Sequence, residues 1–356
     1  TIGEEVDRFF NENWMRMHSL DQIEYISTID SLKNLYFEHT NEADRAYSLS
    51  SEFIDVWTAE INYAFNALIL RYPDRYLQFP PVPIELSQTS WEYLNETDVD
   101  HVSYSDLPGY ASFTKAWVEL KADQLITAEK AQRHYDLRKM EYIFSTITNT
   151  FENQELEDRW KSEFLKAHIE KQGYANAQPY LDQFYESVQT DAYRDIIDET
   201  VQSIKDAREG HMVKVYKSVD GFKLEAHVFQ TQTPPNERSP AIVIFHGGGW
   251  NGGNPSWAFG RAKHFADHGM VAVAAHYRLT NEHDITALES MDDARDLIIW
   301  MRQNADSLHL DPEKITGYGW SAGAHLVSSA AIFPETDPES HFSSVPNALA
   351  LVSPAV

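Results

Sequence analysis

No cysteine occurs among the 356 residues. That excludes a disulfide, a thiolate nucleophile and a cysteine-ligated metal within this chain, and it leaves the redox compartment open. Basic residues are scarce: 29 Lys and Arg stand against 55 Asp and Glu, a formal net charge of -26. Phosphate recognition needs a cationic surface, so this balance argues against a nucleic-acid partner, and docking on anionic lipid is disfavoured on the same ground. A solvated acidic surface favours solubility and suits a salty or extracellular setting. No apolar run reaches the roughly 18 residues that a membrane-spanning helix requires. There is no repeat period and no low-complexity tract. The first residue is Thr1 and not Met, so a signal peptide would lie outside this sequence.

What is present suffices for folded cores. Hydrophobic residues make up 42% and charged residues 24%, the latter close to the roughly 25% of ordinary soluble domains. At roughly 100–200 residues per domain the length fits two domains. Residues 1–209 read as an all-α domain of unknown role. Asn41 followed by Asp44 is a candidate helix start. In 51–70 the residues Phe53, Val56, Trp57, Ile61, Ala64, Phe65 and Leu68 form an i, i+3, i+4 apolar stripe, with Glu52, Asp55 and Glu60 off it. Pro73, Pro80, Pro81 and Pro83 then read as a loop. Further helices are expected over 112–126, 128–151, 155–172, 178–187 and 191–208. Nothing in this half has metal-ligand spacing or a phosphate loop, and its many aromatic residues read as core.

The texture changes at Gly210, a fitting helix terminator. Two alternating runs, 213–218 and 222–230, flank Asp220-Gly221, a strong hairpin signal. Residues 231–240 read as a polar loop. Apolar runs at 241–245, 271–277, 315–320 and 349–352 then alternate with helices at 257–268, 285–308 and 322–332. Such alternation predicts an α/β fold with a mostly parallel sheet covered on both faces, over residues 210–356. The run Ala348–Val352 reads as a buried strand. A chain rarely stops beside a core strand, so both ends are expected to be cut, and the α/β part to be partial.

Two motifs carry chemistry. Gly319-Trp320-Ser321-Ala322-Gly323 is a G-x-S-x-G pattern. A nucleophilic serine needs a tight, strained strand-to-helix turn, and small residues two positions away on each side permit it. Alone the pattern arises by chance in roughly one chain in ten of this length; here an expected strand precedes it and an expected helix follows. The second motif, His246-Gly247-Gly248-Gly249-Trp250, follows the run 241–245. Consecutive glycines let backbone N–H groups converge on one point, which an oxyanion requires. A phosphate cradle would want G-x-G-x-x-G opening a helix, or a Lys after the glycines, and neither is present. Gly248 and Gly249, with the N–H of Ala322, are the expected oxyanion donors.

With these residues in place, 240–356 resembles the α/β-hydrolase superfamily, specifically the hormone-sensitive-lipase-like esterases and their branch of bacterial feruloyl and acetylxylan esterases. The resemblance is carried by Phe245–Trp250, by His276-Tyr277-Arg278-Leu279, by the stretch from Asp293 to Arg302, by Asp311-Pro312-Glu313-Lys314-Ile315 and by Gly319–Leu326. It implies a serine carboxylic-ester hydrolase with Ser321 as nucleophile and no metal or organic cofactor. The implied substrate is a small-molecule or polysaccharide-linked ester, with acetyl or feruloyl as acyl groups. His246, Gly247, Tyr277, Trp320 and Gly323 are implied as supports, and Trp250 and Asn251 as pocket residues. The resemblance, the acidity and the lack of cysteine together lean toward a secreted or periplasmic setting.

The family order places an acid and then a His after the nucleophile. Only Glu335, Asp337, Glu339 and His341 follow Ser321 in a loop, ahead of the run 349–352, which is too early for either role. His325 falls on the nucleophile's helix and is expected to be packed there. The acid and base are expected beyond Val356, which would leave this stretch alone inactive. Two other readings stay open. One is an amidase of the same fold, because arylformamidases carry a similar Gly-Gly-x-Trp loop and the elbow continuation seen at Ser321–Leu326. The other is a non-catalytic binding protein whose helical half does the work.

Overall fold

The hairpin signal at Asp220-Gly221 is where the strands begin. In the computed structural model, β1 (Met212–Val219) and β2 (Phe222–Phe229) pair antiparallel across those two residues. Both turn residues have positive φ, 52° and 91°, the geometry that a two-residue I′ turn demands. The structure describes residues 8–75, 85–94, 96–128, 135–207, 209–231, 238–283, 285–335, 337, 339 and 341–355. The turn residues Pro80, Pro81 and Pro83, residues 129–134 of one expected helix and most of the 231–240 loop lie outside them.

Four more strands complete one sheet: β3 (Ser239–Phe245), β4 (Val271–Ala275), β5 (Leu310–Trp320) and β6 (Ala348–Val352). Their order is β1-β2-β4-β3-β5-β6. β3 pairs parallel with β4 and β5, and β5 parallel with β6, while β1, β2 and β4 join antiparallel. The apolar runs of β3 and β4 are continuous rather than alternating because both sheet faces are covered. On one face Ile242, Ile244, Ala272 and Ala274 pack against Ala258, Ala262 and Ala266 of the helical stretch that follows β3. On the other, Val243, Phe245, Val273 and Ile315 meet Leu297, Ile298 and Met301 of helix Ala287–Gln303, and Leu326, Val327 and Ala330 of helix Ala322–Ile332.

Several expected boundaries move, each for a local reason. The long helix starts at Ala287 and not 285, because Thr286 and Glu289 form a reciprocal capping box there. It ends at Gln303. The helix after β3 starts as a 3-10 turn, Pro255–Ala258, capped by Asn254. β5 begins at Leu310, five residues early, because a register shift between Ser239 and Ala241 of its partner accommodates Asp311-Pro312-Glu313-Lys314. β6 corrects the expectation of a buried strand. Among the described residues it is the outer strand, paired with β5, and its Leu349 and Val352 are 43% and 46% exposed.

In the helical half, Asn41 and Asp44 are not a helix start. They lie inside helix Gln22–Tyr47, which Asp21 caps. The next helix, Ser51–Leu70, is capped by Ser50, whose side chain accepts from the N–H of Phe53. Helices Pro108–Ala128, Tyr135–Thr150, Gln154–Gln172, Tyr174–Ser187 and Asp191–Ala207 follow. The chain forms two compact units, one of residues 1–130, 141–161 and 187–190, the other of 131–140, 162–186 and 191–356. Within the second, Asn176 brackets Lys223 of β2, its amide nitrogen donating to the backbone carbonyl at 3.1 Å and its Oδ1 accepting from the N–H at 3.0 Å. Among the described residues no helix is long and apolar enough to cross a membrane.

Candidate active site

Strand register brings the two motifs together. Phe245 of β3 is paired with Gly319 of β5, so His246 and Trp320 leave the sheet side by side, with Gly247 and Ser321 one residue later. Contact is close: an added Cβ on Gly247 would lie 2.8 Å from the Trp320 indole, and one on Gly323 would lie 2.1 Å from the Phe245 carbonyl oxygen and 2.5 Å from that of His246. Gly323 is thus the residue that lets the elbow helix press onto the strand that launches the glycine loop.

Ser321 sits at φ 52° and ψ -123°, a conformation that costs a non-glycine residue about 1–3 kcal/mol and clusters at functional sites. It is exposed, while Ala322 and Gly323 beyond it are buried. Its own N–H donates to the Val352 carbonyl at 2.9 Å, and its carbonyl accepts from Ala355 at 3.3 Å. The end of β6 therefore braces the strained turn, a role that nothing in the local sequence announces. Ser321 Oγ makes no hydrogen bond among the described residues.

The glycine loop is folded around its own backbone. Gly248 has φ 132° and approaches Gly252 so closely that a Cβ would fall 1.9 Å from the Gly252 oxygen; the Gly248 carbonyl accepts from Asn251 at 3.2 Å and Gly252 at 3.0 Å. Among the described residues the N–H groups of Gly248, Gly249 and Ala322 donate to no backbone acceptor outside regular elements. Trp250, at φ 61°, presents its ring edge-on to His325 at 5.1 Å, and its carbonyl is held by Thr280 at 2.7 Å. His325 thus packs on Trp250 from the elbow helix. Asn251 is exposed. The Arg261 guanidinium lies 4.8 Å over the Trp320 ring.

His246 and Tyr277 form the loop's internal brace. Their rings stack at 4.4 Å, and the Tyr277 hydroxyl donates to the His246 carbonyl at 2.8 Å. His246 Nδ1 lies 2.8 Å from the Gly247 carbonyl oxygen. A carbonyl only accepts, so Nδ1 carries the hydrogen. Burial pushes the His246 imidazole down to about 4 from its ordinary 6.5; burial does the same to His168 and His283. The sign follows. Between about 4 and 6.5 the unfolded chain binds protons on these rings and the folded one does not, so stability falls as pH drops through that window. Each ring contributes up to about 3 kcal/mol. The thermal midpoint at pH 5 is expected several degrees below that at pH 7; an equal or higher midpoint at pH 5 would refute this.

Arg278, quoted in the sequence only as part of the Tyr-Arg-Leu segment and given no role, anchors the region. Arg278 forms a two-point pair with fully buried Asp293, with Nε and Nη2 each 2.8 Å from a carboxylate oxygen, and its backbone N–H adds a third bond at 3.0 Å. Lys217 of β1 reaches the same carboxylate at 2.7 Å. The places of Arg278 in the Tyr-Arg-Leu segment and of Asp293 at the start of the Asp293–Arg302 stretch were the available signal.

Beside the loop lies a cavity of ≈ 370 Å³. Asn254, Ser256, Trp257 and Phe259 form one side, Glu225, His227 and His276 the sheet side, and residues from 169–173 and 203–207 the remainder. Trp257 also meets the His246 ring edge-on at 5.9 Å, which ties the cavity wall to the loop. Ser321, Trp250 and Asn251 do not line it. Of the later acidic residues, Glu335 pairs with Arg295 at 3.2 Å, and Asp337 and His341 close the 333–344 turn through backbone bonds. Among the described residues no set of three or more His, Asp or Glu is placed to hold a metal ion.

Part of the chain is similar to known proteins. Residues 229–346 match the BD-FAE family profile. An AB hydrolase superfamily protein of Schizosaccharomyces pombe is 34% identical over 97 residues, covering 27% of this chain and 28% of that protein. Carboxylesterase NlhH of Mycobacterium tuberculosis is 34% identical over 96 residues, covering 26% and 30%. Among solved structures, Thermogutta terrifontis esterase 2 phosphoramylated by tabun is 38% identical, covering 41% of this chain and 57% of that one, with a TM-score of 0.40. The chain therefore spans less than a third of these two curated relatives.

Proposed function

We infer, from the α/β-hydrolase domain of hormone-sensitive-lipase-like esterase type that residues 229–346 form, that the protein hydrolyses carboxylic esters of small acyl groups through an acyl-enzyme on Ser321. The observation that carries this is the β3–β5 register, which sets a strained, exposed serine against a loop of three glycines. Ser321 Oγ would attack the ester carbonyl and lose its proton to a base. The carbonyl oxygen would take the negative charge and accept from the N–H groups of Gly248, Gly249 and Ala322. Collapse would expel the alcohol, and water would release the acid in a second, mirrored step. His246, Gly247, Tyr277, Trp320 and Gly323 hold these donors in place. In sequence terms, residues 210–356 carry the chemistry and residues 1–209 a separate role.

The acyl group proposed is acetyl or feruloyl, borne by a polysaccharide or a small alcohol. A serine without a hydrogen-bonded base is a weak nucleophile, so residues 1–356 alone are expected to hydrolyse p-nitrophenyl acetate at the background rate. With a general base in place, the domain is expected to hydrolyse acetyl or feruloyl esters well above background and N-formylkynurenine slowly. Reaction with the formamide alone would replace the ester reading with an amidase of the same fold. No turnover of either would favour a binding protein.

A further inference from the structure

Helix Phe259–Asp267 turns its alanines inward: Ala262 and Ala266 pack on the sheet and fix its backbone. Two residues beyond each, about 200° round the helix, stand His264 and His268, both exposed. Residues four apart on a helix are neighbours. These two rings lie 4.3 Å apart between centres, with their planes tilted by 39°. His268 Nδ1 lies 2.7 Å from the His264 carbonyl oxygen. A carbonyl only accepts, so Nδ1 carries the hydrogen and Nε2 keeps its lone pair. That bond satisfies one of the last carbonyls of the helix, which accounts for His268. It does not account for a second exposed imidazole one turn earlier.

Two imidazoles so placed can chelate a metal ion. A ligating histidine almost always donates its other ring N–H to a carbonyl or carboxylate, which fixes its tautomer and orientation; His268 already does so. Either nitrogen of His264 can face it, because a half-turn of the ring exchanges the two. The spacing selects the ion. With a metal–nitrogen bond of about 2.0–2.1 Å, the ion sits about 3.2 Å from each ring centre. Centres 4.3 Å apart then subtend about 85° at the ion, close to the right angle between neighbouring ligands of a tetragonal site. A tetrahedral ion would need the centres about 5.2 Å apart. Copper(II) and nickel(II) take the first geometry and zinc the second, while calcium and magnesium want oxygen ligands. Asp267, beside His268, is paired with Lys263 at 3.1 Å, so the other positions on the ion fall to water or to a small chelating ligand.

We propose that His264 and His268 form a surface site for copper(II) or nickel(II), supplying two nitrogens in neighbouring positions of a tetragonal ion. The site shares no residue with the proposed ester-hydrolysing one, and its readout is metal binding, which hydrolysis does not enter. Calorimetric titration with nickel(II) and low-temperature electron paramagnetic resonance with equimolar copper(II), both on the 356-residue chain, test it. A saturable nickel site is expected, and a tetragonal copper spectrum split by two nitrogens. His264→Gln and His268→Gln are each expected to weaken nickel binding roughly 10–100-fold and to remove the two-nitrogen splitting. Because His264 is exposed, His264→Gln should leave the thermal midpoint of the metal-free chain unchanged. Nickel should raise that midpoint in the unsubstituted chain and not in the variant, since the unfolded chain lacks the preset pair. Three results would overturn the proposal: nickel binding left unchanged by both substitutions, a copper spectrum with a single nitrogen, or zinc held more tightly than nickel.

Discussion

On the proposed acyl-enzyme route, Ser321→Ala is expected to lower ester turnover by about a millionfold, the loss seen when a nucleophile of a comparable serine triad is removed. The size comes from the two-step route. Without Oγ there is no acyl-enzyme, and water must attack the ester directly, aided only by the donors that remain. The proposed donors are the backbone N–H groups of Gly248, Gly249 and Ala322, which the substitution does not touch. A residue of catalysis over water, on the order of 10³–10⁴, is therefore expected to survive. The fold is not at risk: Ser321 is exposed and its side chain bonds to nothing among the described residues. Alanine keeps the N–H that Val352 accepts. The check is initial-rate kinetics on p-nitrophenyl acetate together with labelling by a fluorophosphonate. A variant that keeps more than about 1% of turnover, or is still labelled, would show that the nucleophile lies elsewhere.

Asp293→Ala is expected to produce the largest loss of stability. Its carboxylate is fully buried and takes hydrogen bonds from the Arg278 side chain, the Arg278 backbone and Lys217. Removing it strands the guanidinium of Arg278, which is only 9% exposed. Breaking one partner of a buried pair costs about 3–5 kcal/mol. For a unit of this size that lowers the thermal midpoint by roughly 10 °C. The damage also reaches the site. Arg278 follows Tyr277, whose hydroxyl holds the His246 carbonyl, so the oxyanion loop loosens with it and turnover falls beside stability. Asp296 gives the contrast. It bonds Lys217 at 2.6 Å with a side chain 41% exposed, and Asp296→Ala is expected to cost less than about 1 kcal/mol. Equal shifts for the two variants would sink the argument.

Most of the strands and helices were legible because their periods are local properties. The Asp220-Gly221 turn, the continuous runs of β3 and β4 and the stripe of helix Ser51–Leu70 each declare themselves within a dozen residues. Helix starts were less legible where two candidates lay close together. Asn41 and Asp44 have the right chemistry, but a helix already in progress leaves no free N–H groups for them to cap. Ser50, after the left-handed Ser48, is where new ones arise.

The sequence by itself determined the identity of the chemical groups: a serine between small residues, three glycines after an apolar run, no cysteine, and too few cations to hold a nucleic acid. Those follow from residue type and spacing, which need no third dimension. Tertiary structure alone decided what stands beside them. Parallel pairing brings residues 74 apart, Phe245 and Gly319, into register. It sets the Val352 carbonyl under Ser321 and makes Asp293, Arg278 and Lys217 one buried network. It draws residues from 169–173 and 203–207 into the wall of the cavity beside the loop. Contacts between distant segments are set by packing and pairing geometry, and no local pattern of residues encodes them.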